Sequence, residues 1–446
     1  MKLFQQMLVA GASLSLLAPV AAQASDVVNL EEMNSYSRSR TKKSSRLDSK
    51  TFINEVSEDI ANLKGRVDGL EVKQNEFEAG GFSDTTTLDQ KLVFGLMGTD
   101  HSLVKTDGTD SLAAAYQYTM NLNTSFTGDD NLYVRLRAGN GSGNFVSKTY
   151  GTYLSMGTEY SDALKVDKIW YTFPVGESNT VWVGPKIENY YMHGTTPSIY
   201  KPVTKQFTLG GNGEAYGAST DTGFGWAYKA DNGFAVSSNI GTKSNTSCHT
   251  PRPCSSTSGS GDDINTGLLT DETKTSWATQ VGYTKPNYSA SAIVNVKSNG
   301  WSDTYYHTSG HGGVAKSGKS LGNYTSIGLR GWWRPENAGT ATPAISVGYD
   351  TTAYENATDA TSNSDAYFVG LNWNDIFQAD DKIGIAFGQP TKNESNDTDP
   401  FAYEVYYSFR PNDSVEITPA VFGGSDRNGT AGEDFTGAVI ETTFKF

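Results

Sequence analysis

A regular alternation of apolar and polar residues is the feature of this sequence that most restricts its fold. In the clearest run, Tyr116, Tyr118, Met120 and Leu122 alternate with small polar residues. A strand with this period of two presents one apolar face and one polar face. Sixteen such runs follow one another up to the C-terminus. The sequence therefore predicts an all-β fold over 85–446, a 16-stranded antiparallel transmembrane β-barrel with an apolar outer surface and a wet interior.

The connections between the predicted strands are short on one side and long on the other. Short links such as 128–130 and 176–179 alternate with long links such as 188–221 and 242–274. Outer-membrane barrels have short periplasmic turns and longer extracellular loops. We therefore expect both ends of the mature chain on the periplasmic side.

The long link 188–221 is rich in aromatic residues. One expectation is that it folds into the barrel and narrows it, where its rings could stack on sugar faces. The other is that it packs between subunits, and the sequence does not separate the two. The aromatic residues concerned are Tyr190, Tyr191, Tyr200 and Phe207.

The first 24 residues have the pattern of a secretory signal peptide. Lys2 gives a positive start, an apolar run follows at 7–17, and Ala22 and Ala24 form a small-residue cleavage site. The apolar run is too short for a membrane-spanning helix. We therefore expect the segment 1–24 to be removed on export.

A basic linker and a periodic segment follow the predicted signal peptide. The polar linker, 25–50, either contacts acidic cell-wall polymers or is simply a solvated tail. Over 51–79, apolar residues recur at alternating spacings of three and four, which is the pattern of a coiled coil. We expect this short α-helical coil to lie in the periplasm, ahead of the barrel. Its seam positions are Ile53, Val56, Ile60, Leu63, Val67, Leu70, Gln74 and Phe77.

Net charge and cysteine content limit the partners of the chain. A formal charge of -14 argues against a nucleic-acid partner, because phosphate binding needs a basic face. The two cysteines, Cys248 and Cys254, lie in one Pro- and Ser-rich stretch. They are candidates for a disulfide that closes a small loop outside the cytoplasm.

Charged residues at inward strand positions are the candidates for pore selectivity, because charges that face a channel influence which ions pass. Arg135 and Arg137 share one predicted inner face and are the constriction candidates; solvation of the wall is the simpler alternative. Cations outnumber carboxylates at these positions, so we expect a weak anion preference. The predicted pore-lining residues are Arg135, Arg137, Lys186, Arg330, Arg334, Glu404, Arg410 and Glu416, and strand parity adds Asp89, Lys91, Lys229, Lys297 and Glu441.

The distribution of histidines argues against an enzyme. All five fall in predicted loops, and none lies on a strand beside a serine nucleophile and a fixed acid. We therefore expect no catalytic residues, no cofactor and no metal site. The histidines are His101, His193, His249, His307 and His311.

The chain ends on a strand with alternating aromatic residues. Phe444 and Phe446 are the candidates for the C-terminal signal that the outer-membrane insertion machinery recognises. In a barrel these rings would join the aromatic girdle at the periplasmic interface.

Six stretches carry a resemblance to a known family: WYTFPVG at 170–176, TVWVGPK at 180–186, GLRGWW at 328–333, IAFGQP at 385–390, EVYYSF at 404–409 and SVEITPAVF at 414–422. They resemble the cyanobacterial outer-membrane porins of the carbohydrate-selective (OprB-type) family. The resemblance implies a homotrimer in outer-membrane lipid that passes small hydrophilic solutes by diffusion, with members described as sugar, inorganic-ion or iron-uptake porins. Many cyanobacterial members carry a wall-binding domain between signal and coil, for which the segment 25–50 is too short.

Two functions follow as expectations. The first is an outer-membrane porin, a passive aqueous channel for inorganic ions or sugars. The alternative is a structural tether between outer membrane and cell wall, with a largely closed barrel.

Overall fold

The computed structural model of the chain describes residues 60, 63–71, 85–101, 112–146, 151–211, 214–216, 220–243, 268–269, 273–298, 301, 323–355, 363–394, 396 and 398–446. The predicted signal peptide, the linker, most of the predicted coil and both cysteines, Cys248 and Cys254, lie outside these residues. The chain divides into two units, Met1–Gly81 and Phe82–Phe446.

The first unit is helical where it is described. Residues 63–71 form a helix, and Leu63, Val67 and Leu70 are exposed along one side of it. Among the residues that the structure describes, no helix has the length and apolarity needed to cross a bilayer.

The second unit is a closed barrel of sixteen antiparallel strands. The first eight are β1 (Thr86–His101), β2 (Ala113–Thr124), β3 (Asn131–Gly139), β4 (Lys165–Val175), β5 (Asn179–Glu188), β6 (Thr220–Lys229), β7 (Phe234–Lys243) and β8 (Lys274–Lys285). The others are β9 (Tyr288–Ser298), β10 (Tyr324–Trp333), β11 (Ala344–Tyr354), β12 (Asn363–Asn374), β13 (Lys382–Asn393), β14 (Phe401–Asn412), β15 (Val415–Ser425) and β16 (Phe435–Lys445). Each strand pairs with its neighbours in sequence, and the predicted barrel and strand number are confirmed.

The last residue of the chain takes part in closing the barrel. Strand β16 pairs with β1, and Phe444 stands opposite Leu92. Beyond β16, the Gln90 amide donates to the Phe446 carbonyl over 2.9 Å, and the Phe446 amide donates to the Gln90 carbonyl over 3.2 Å. Because lipid offers no partners to backbone groups, such pairing is what a closed seam requires.

Side-chain burial alternates along the strands as the sequence pattern predicts. On β9, Val294 and Val296 are exposed on the outer face, whereas Ile293, Asn295 and Lys297 are fully buried on the inner face. The outer surface is apolar because its positions carry valine, leucine and aromatic residues. The inner face carries the polar and charged residues from which a channel could be built.

Two long connections fold inside the barrel. The β3–β4 loop follows Gly139, and the β5–β6 loop follows Glu188. They meet at an isolated bridge between Leu154 and Thr204. Their apolar residues form one cluster with inward side chains of the wall, including Val93 on β1. The loop residues in this cluster are Phe145, Leu154, Met156, Tyr200, Val203 and Phe207.

Candidate solute-binding site

Two arginines on β3 share one carboxylate inside the barrel. Arg135 and Arg137 occupy successive inward positions, and Asp167 on β4 lies between their guanidinium groups. The Arg135 Nε donates to Asp167 Oδ2 over 2.5 Å, and Arg137 Nη1 lies 3.8 Å from the same oxygen. Asp167 Oδ1 accepts a 2.7 Å hydrogen bond from the Tyr160 hydroxyl. Three side chains, those of Arg135, Arg137 and Tyr160, are thus held around one buried carboxylate, which orients both arginines.

Tyr160 lies in the β3–β4 loop and is a hydrogen-bond donor at physiological pH. Burial, followed by the hydrogen bond to Asp167, raises the pKa of the Tyr160 phenol to about 12. The phenol therefore keeps its proton, and the carboxylate of Asp167 keeps this donor.

A β-bulge brings two further charged residues to the inner face. The register of β3 with β4 shifts between the pairs Arg135↔Lys168 and Leu136↔Val166, so Asp167 and Lys168 both face inward. Lys168 is fully buried and forms an ion pair with Glu188 at the end of β5. Simple strand parity assigns Asp167 and Lys168 to opposite faces, so the sequence pattern alone does not place both inside the barrel. Glu188 falls in the predicted link 188–221 and is therefore not among the predicted wall residues.

Aromatic rings adjoin the arginines. The centroids of Tyr133 and Trp170 are 4.6 Å apart, and those of Trp170 and Tyr191 are 5.0 Å apart. Arg135 Nη1 donates to the Tyr191 hydroxyl over 3.3 Å. Tyr191 remains 41% exposed, so its ring is accessible. We call these five residues, Arg135, Arg137, Tyr133, Trp170 and Tyr191, the arginine–aromatic cluster.

The cluster combines two modes of recognition. Guanidinium groups donate hydrogen bonds in a fixed fork to hydroxyl or anionic oxygens. Exposed aromatic faces offer flat apolar surface to the C–H face of a sugar ring. Three basic side chains, Arg135, Arg137 and Lys168, lie beside two acidic ones, Asp167 and Glu188, so basic groups outnumber acidic groups at this site.

Lys186 does not face the interior, which corrects the prediction. It pairs with Ile169, which in turn pairs with the outward Val134. Its neighbour Ile187 is the buried residue, packed inside with Trp170. A register shift between β4 and β5 inserts an extra residue and reverses the parity after Val183.

Arg330 and Glu404 lie at inward positions, but both are buried beneath the β5–β6 loop. Arg330 Nη2 lies 2.6 Å from Asp350 Oδ2 on β11, and Arg330 Nε donates to the Leu209 carbonyl of the loop over 2.8 Å. Glu404 is fully buried and accepts hydrogen bonds from Tyr200 and Thr204 of the same loop. The two residues hold the loop against the wall.

Three of the predicted pore-lining residues lie at the short-turn end of the barrel: Arg334, Arg410 and Glu416. Arg410 on β14 and Lys445 on β16 each place a side-chain nitrogen 3.3 Å from Glu416 Oε2 on β15. Arg334 follows the last residue of β10, is exposed, and donates from Nε to the Pro286 carbonyl over 2.7 Å. These residues are remote in the sheet from the arginine–aromatic cluster.

The remaining residues that strand parity predicts to line the pore do lie at inward positions of their strands. Lys297 is fully buried, donates over 2.7 Å to the Glu214 carbonyl of the β5–β6 loop, and therefore also supports the loop. The other inward residues are Asp89, Lys91, Lys229 and Glu441.

The wall is shaped to receive the β5–β6 loop. A Cβ on Gly348 would lie 2.0 Å from the Gly210 carbonyl oxygen, and one on Gly370 would lie 2.7 Å from the Tyr200 ring. Only glycine permits such close approach. These inward glycines are a sequence signal for the path of the loop along the wall. The wall glycines that contact it are Gly225, Gly282, Gly328, Gly348 and Gly370.

Comparison with known proteins connects the chain with porins. The family model described as carbohydrate-selective porin, OprB family, matches residues 45–422. An uncharacterized protein of Nostoc sp. is 26% identical over 427 residues, which covers 88% of this chain and 71% of the relative.

Solved structures share the barrel at low sequence identity. The high-pH structure of Pseudomonas putida OprB has a TM-score of 0.59 at 11% identity, covering 84% of this chain and 96% of that chain. Salmonella typhi OmpF, solved in complex with daunomycin, has a TM-score of 0.51 at 12% identity, covering 81% of this chain and 97% of that chain. At these identities the likeness concerns the fold.

Proposed function

Because the chain belongs to the carbohydrate-selective porin, OprB family, we propose that it forms a passive aqueous channel for small hydrophilic solutes, both sugars and inorganic ions. The family and the barrel fold indicate an outer-membrane channel rather than an enzyme. The arginine–aromatic cluster carries the proposal, because it presents fixed donors and an exposed ring on the inner face.

In this channel a sugar would stack on Tyr191 while Arg137 donates hydrogen bonds to its hydroxyl groups. Arg137 is suited to this role because it lies farther from Asp167 than Arg135 does and keeps donor capacity. A neutral sugar would be oriented by stacking. A small anion would be attracted by the excess of cations, which supports a weak anion preference.

The segment before the barrel supports a proposal about assembly. Leu63, Val67 and Leu70 expose an apolar seam on the helix at 63–71. We propose that two further copies of this helix cover the seam in the periplasm, as in a trimeric coiled coil. Gly65 lies in the helix and weakens it by up to about 1 kcal/mol, so partner helices would be needed for its stability. The homotrimer, the cleaved signal 1–24 and wall contact by 25–50 belong to this proposal.

A second function is favoured by a specific observation. The β3–β4 and β5–β6 loops fill part of the interior, and inward residues such as Lys297 and Glu404 are fully buried by them. If the loops closed the barrel, its main role would be to tether the outer membrane to the wall through the N-terminal segment.

Single-channel recording in planar bilayers tests the proposal. We expect the detergent-extracted protein to open channels in groups of three, and linear maltose-like sugars to block the current. Tyr191→Ala should raise the half-blocking sugar concentration by about tenfold, equivalent to about 1.4 kcal/mol of lost stacking.

A matched control distinguishes the loss of an aromatic ring inside the channel from a general loss of protein structure. Tyr349 has the same residue type and is 44% exposed, but it lies on the outer face of β11. Tyr349→Ala should leave sugar block unchanged. Silent but correctly folded wild-type protein would favour the tether, and sugar-insensitive channels would restrict the function to ions and other small solutes.

A further inference from the structure

We infer that Glu404 is a positioning residue that fixes the geometry of the channel by holding both inward loops through a single carboxylate. Glu404 lies on β14, on the far side of the closed barrel from β5, where the β5–β6 loop begins. The loop reaches it at Thr204. A wall carboxylate that binds the crossing loop therefore determines how the loop divides the interior.

The four hydrogen bonds to Glu404 all come from the β5–β6 loop. Oε1 accepts from the Tyr200 hydroxyl over 2.8 Å and from the Val203 amide over 3.1 Å. Oε2 accepts from both the amide and the hydroxyl of Thr204, the amide over 2.8 Å. Within the described part of the chain, no cation forms an ion pair with this carboxylate. Its binding capacity is thus used entirely by the loop.

The surroundings make these hydrogen bonds costly to lose. Glu404 is fully buried, and the Tyr200 ring lies 5.7 Å from Phe368 and 5.9 Å from Tyr406. In an environment without water, hydrogen-bond donors that lose their acceptor cannot form a replacement hydrogen bond to water. Without the carboxylate, a loop that stayed at the wall would keep its donors unpaired. We therefore expect removal of the carboxylate to favour a loop that leaves the wall.

The same contact also holds the β3–β4 loop. The Ser155 amide donates to the Val203 carbonyl over 2.7 Å, and the Lys205 amide donates to the Tyr153 carbonyl over 2.7 Å. These bonds flank Thr204, whose amide and hydroxyl bind Glu404. Displacement of Thr204 therefore loosens the contact between the two loops together with the contact to the wall.

Other anchors limit the displacement to one part of the β5–β6 loop. Asp350 Oδ1 accepts a hydrogen bond from the Ala215 amide, and Lys297 binds Glu214. Both contacts lie after the Glu404 contact in the loop. Loss of Glu404 should therefore free the segment around 200–205 while the segment 214–216 stays attached, which changes the aperture without emptying the barrel.

The experiment compares Glu404→Ala and Glu404→Gln with Glu416→Gln in the full-length protein. Glu416 is a matched control because it is an inward carboxylate on the adjacent strand, but it binds Arg410, Lys445 and Ser408 of the wall. Glu404→Gln keeps the size of the side chain and replaces one acceptor oxygen by a donor group, which would face donors of the loop in either orientation of the amide. Correct folding is checked by the heat-dependent gel shift of intact barrels.

Two readouts are expected to change in the Glu404 variants. Hydrogen exchange of the peptides that contain Val203, Thr204 and Ser155 should accelerate by on the order of tenfold. Channel conductance should rise by about twofold, with added current fluctuations, because a loosened loop samples several positions. Glu416→Gln should match the wild type in the exchange of these peptides and should show no added current fluctuations, because it leaves both loops attached.

The outcomes distinguish this inference from the proposed channel function. Folded Glu404→Ala with wild-type exchange and conductance would refute the positioning role. If the wild type itself conducts no current, the proposed function fails, while exchange still tests the role of Glu404. If Glu404→Ala does not fold, Thr204→Val removes one of the four donors, and unchanged exchange at Val203 and Ser155 in that variant would contradict the inference.

Discussion

Tyr171 on β4 donates its hydroxyl to Asp130 Oδ2 over 2.6 Å and so joins the turn between β2 and β3 to the next hairpin. The other oxygen of Asp130 accepts hydrogen bonds from the amides of Phe126 and Thr127 and the hydroxyl of Ser125. One carboxylate therefore shapes the turn and links it sideways to a neighbouring strand.

Removal of this carboxylate is expected to lower barrel stability. Asp130→Asn should reduce the temperature at which the folded band disappears in the heat-dependent gel shift, because the amide cannot accept all of these hydrogen bonds. Tyr171→Phe should have a smaller effect of the same sign, since it removes only the link between hairpins. Tyr349→Phe serves as the control, and equal effects of all three variants would contradict a specific role of Asp130.

The turn between β12 and β13 repeats the arrangement. Asp381 accepts hydrogen bonds from the amides of Ile376, Phe377 and Gln378, and the Tyr407 hydroxyl donates to Asp381 Oδ2 over 3.1 Å. Phe126 and Phe377, one in each turn, are both exposed. Such rings suit the aromatic girdle at a membrane interface.

Both turns are expected to weaken only under strongly acidic conditions. The hydrogen bond from Tyr171, together with those of the turn, lowers the pKa of Asp130. At Asp381 burial opposes the shift, but the three amides and Tyr407 outweigh it and lower the pKa. A carboxyl whose folded-state pKa is depressed stabilises the fold above its unfolded pKa of about 3.9, and loses that contribution as the pH falls toward the folded value.

Unfolding followed between pH 7 and pH 2 checks this expectation. The wild type should keep its stability down to about pH 4 and lose it below that value. A double variant with Asp130→Asn and Asp381→Asn should be less stable at neutral pH and less dependent on pH in the acid range. A pH profile identical to that of the wild type would show that other carboxyls dominate.

The inward glycines lead to a prediction about the seating of the β5–β6 loop. In Gly348→Ala the new methyl would meet the Gly210 carbonyl at 2.0 Å, so the loop or the strand must move. Overpacking of this kind costs about 1–3 kcal/mol. Gly331→Ala on the adjacent strand is the control, since its nearest neighbours would be 3.6 Å away. Urea unfolding in detergent should separate the two variants.

The fold could be read from the sequence more completely than the site. Alternation along β9 and the place of Phe444 on the last strand depend only on local pattern and strand order, and both are predictable from the sequence. The inward position of Asp167 and the outward position of Lys186 depend on bulges, which shift parity by one residue without a strong local signal. The binding of Glu404 to Thr204 joins residues about 200 positions apart, which no periodicity encodes.

Two interior ion pairs are expected to contribute very differently to the free energy of unfolding. Arg330 and Asp350 are almost fully buried, and Asp350→Asn should cost about 3–5 kcal/mol because it leaves a buried guanidinium without its counter-charge. Arg410 and Glu416 are partly exposed, and Glu416→Gln should cost at most about 1 kcal/mol. Equilibrium unfolding of both variants in detergent checks the contrast, and similar losses would mean that Arg330 finds another partner.

The opposite faces of Arg137 and Lys186 give the sharpest test of which charges act on permeating ions. Arg137 lies inside the barrel beside Asp167, whereas Lys186 lies on the outer face and donates to the Val166 carbonyl over 2.9 Å. Both substitutions remove one positive charge, so the two variants have equal net charge. In a salt gradient, Arg137→Gln should shift the reversal potential toward cation preference, because the cluster loses its excess of cations. Lys186→Gln should leave the reversal potential at the wild-type value, since its charge is separated from the interior by the wall. A shift of equal size in both variants would return Lys186 to the pore lining and contradict the register of β4 with β5.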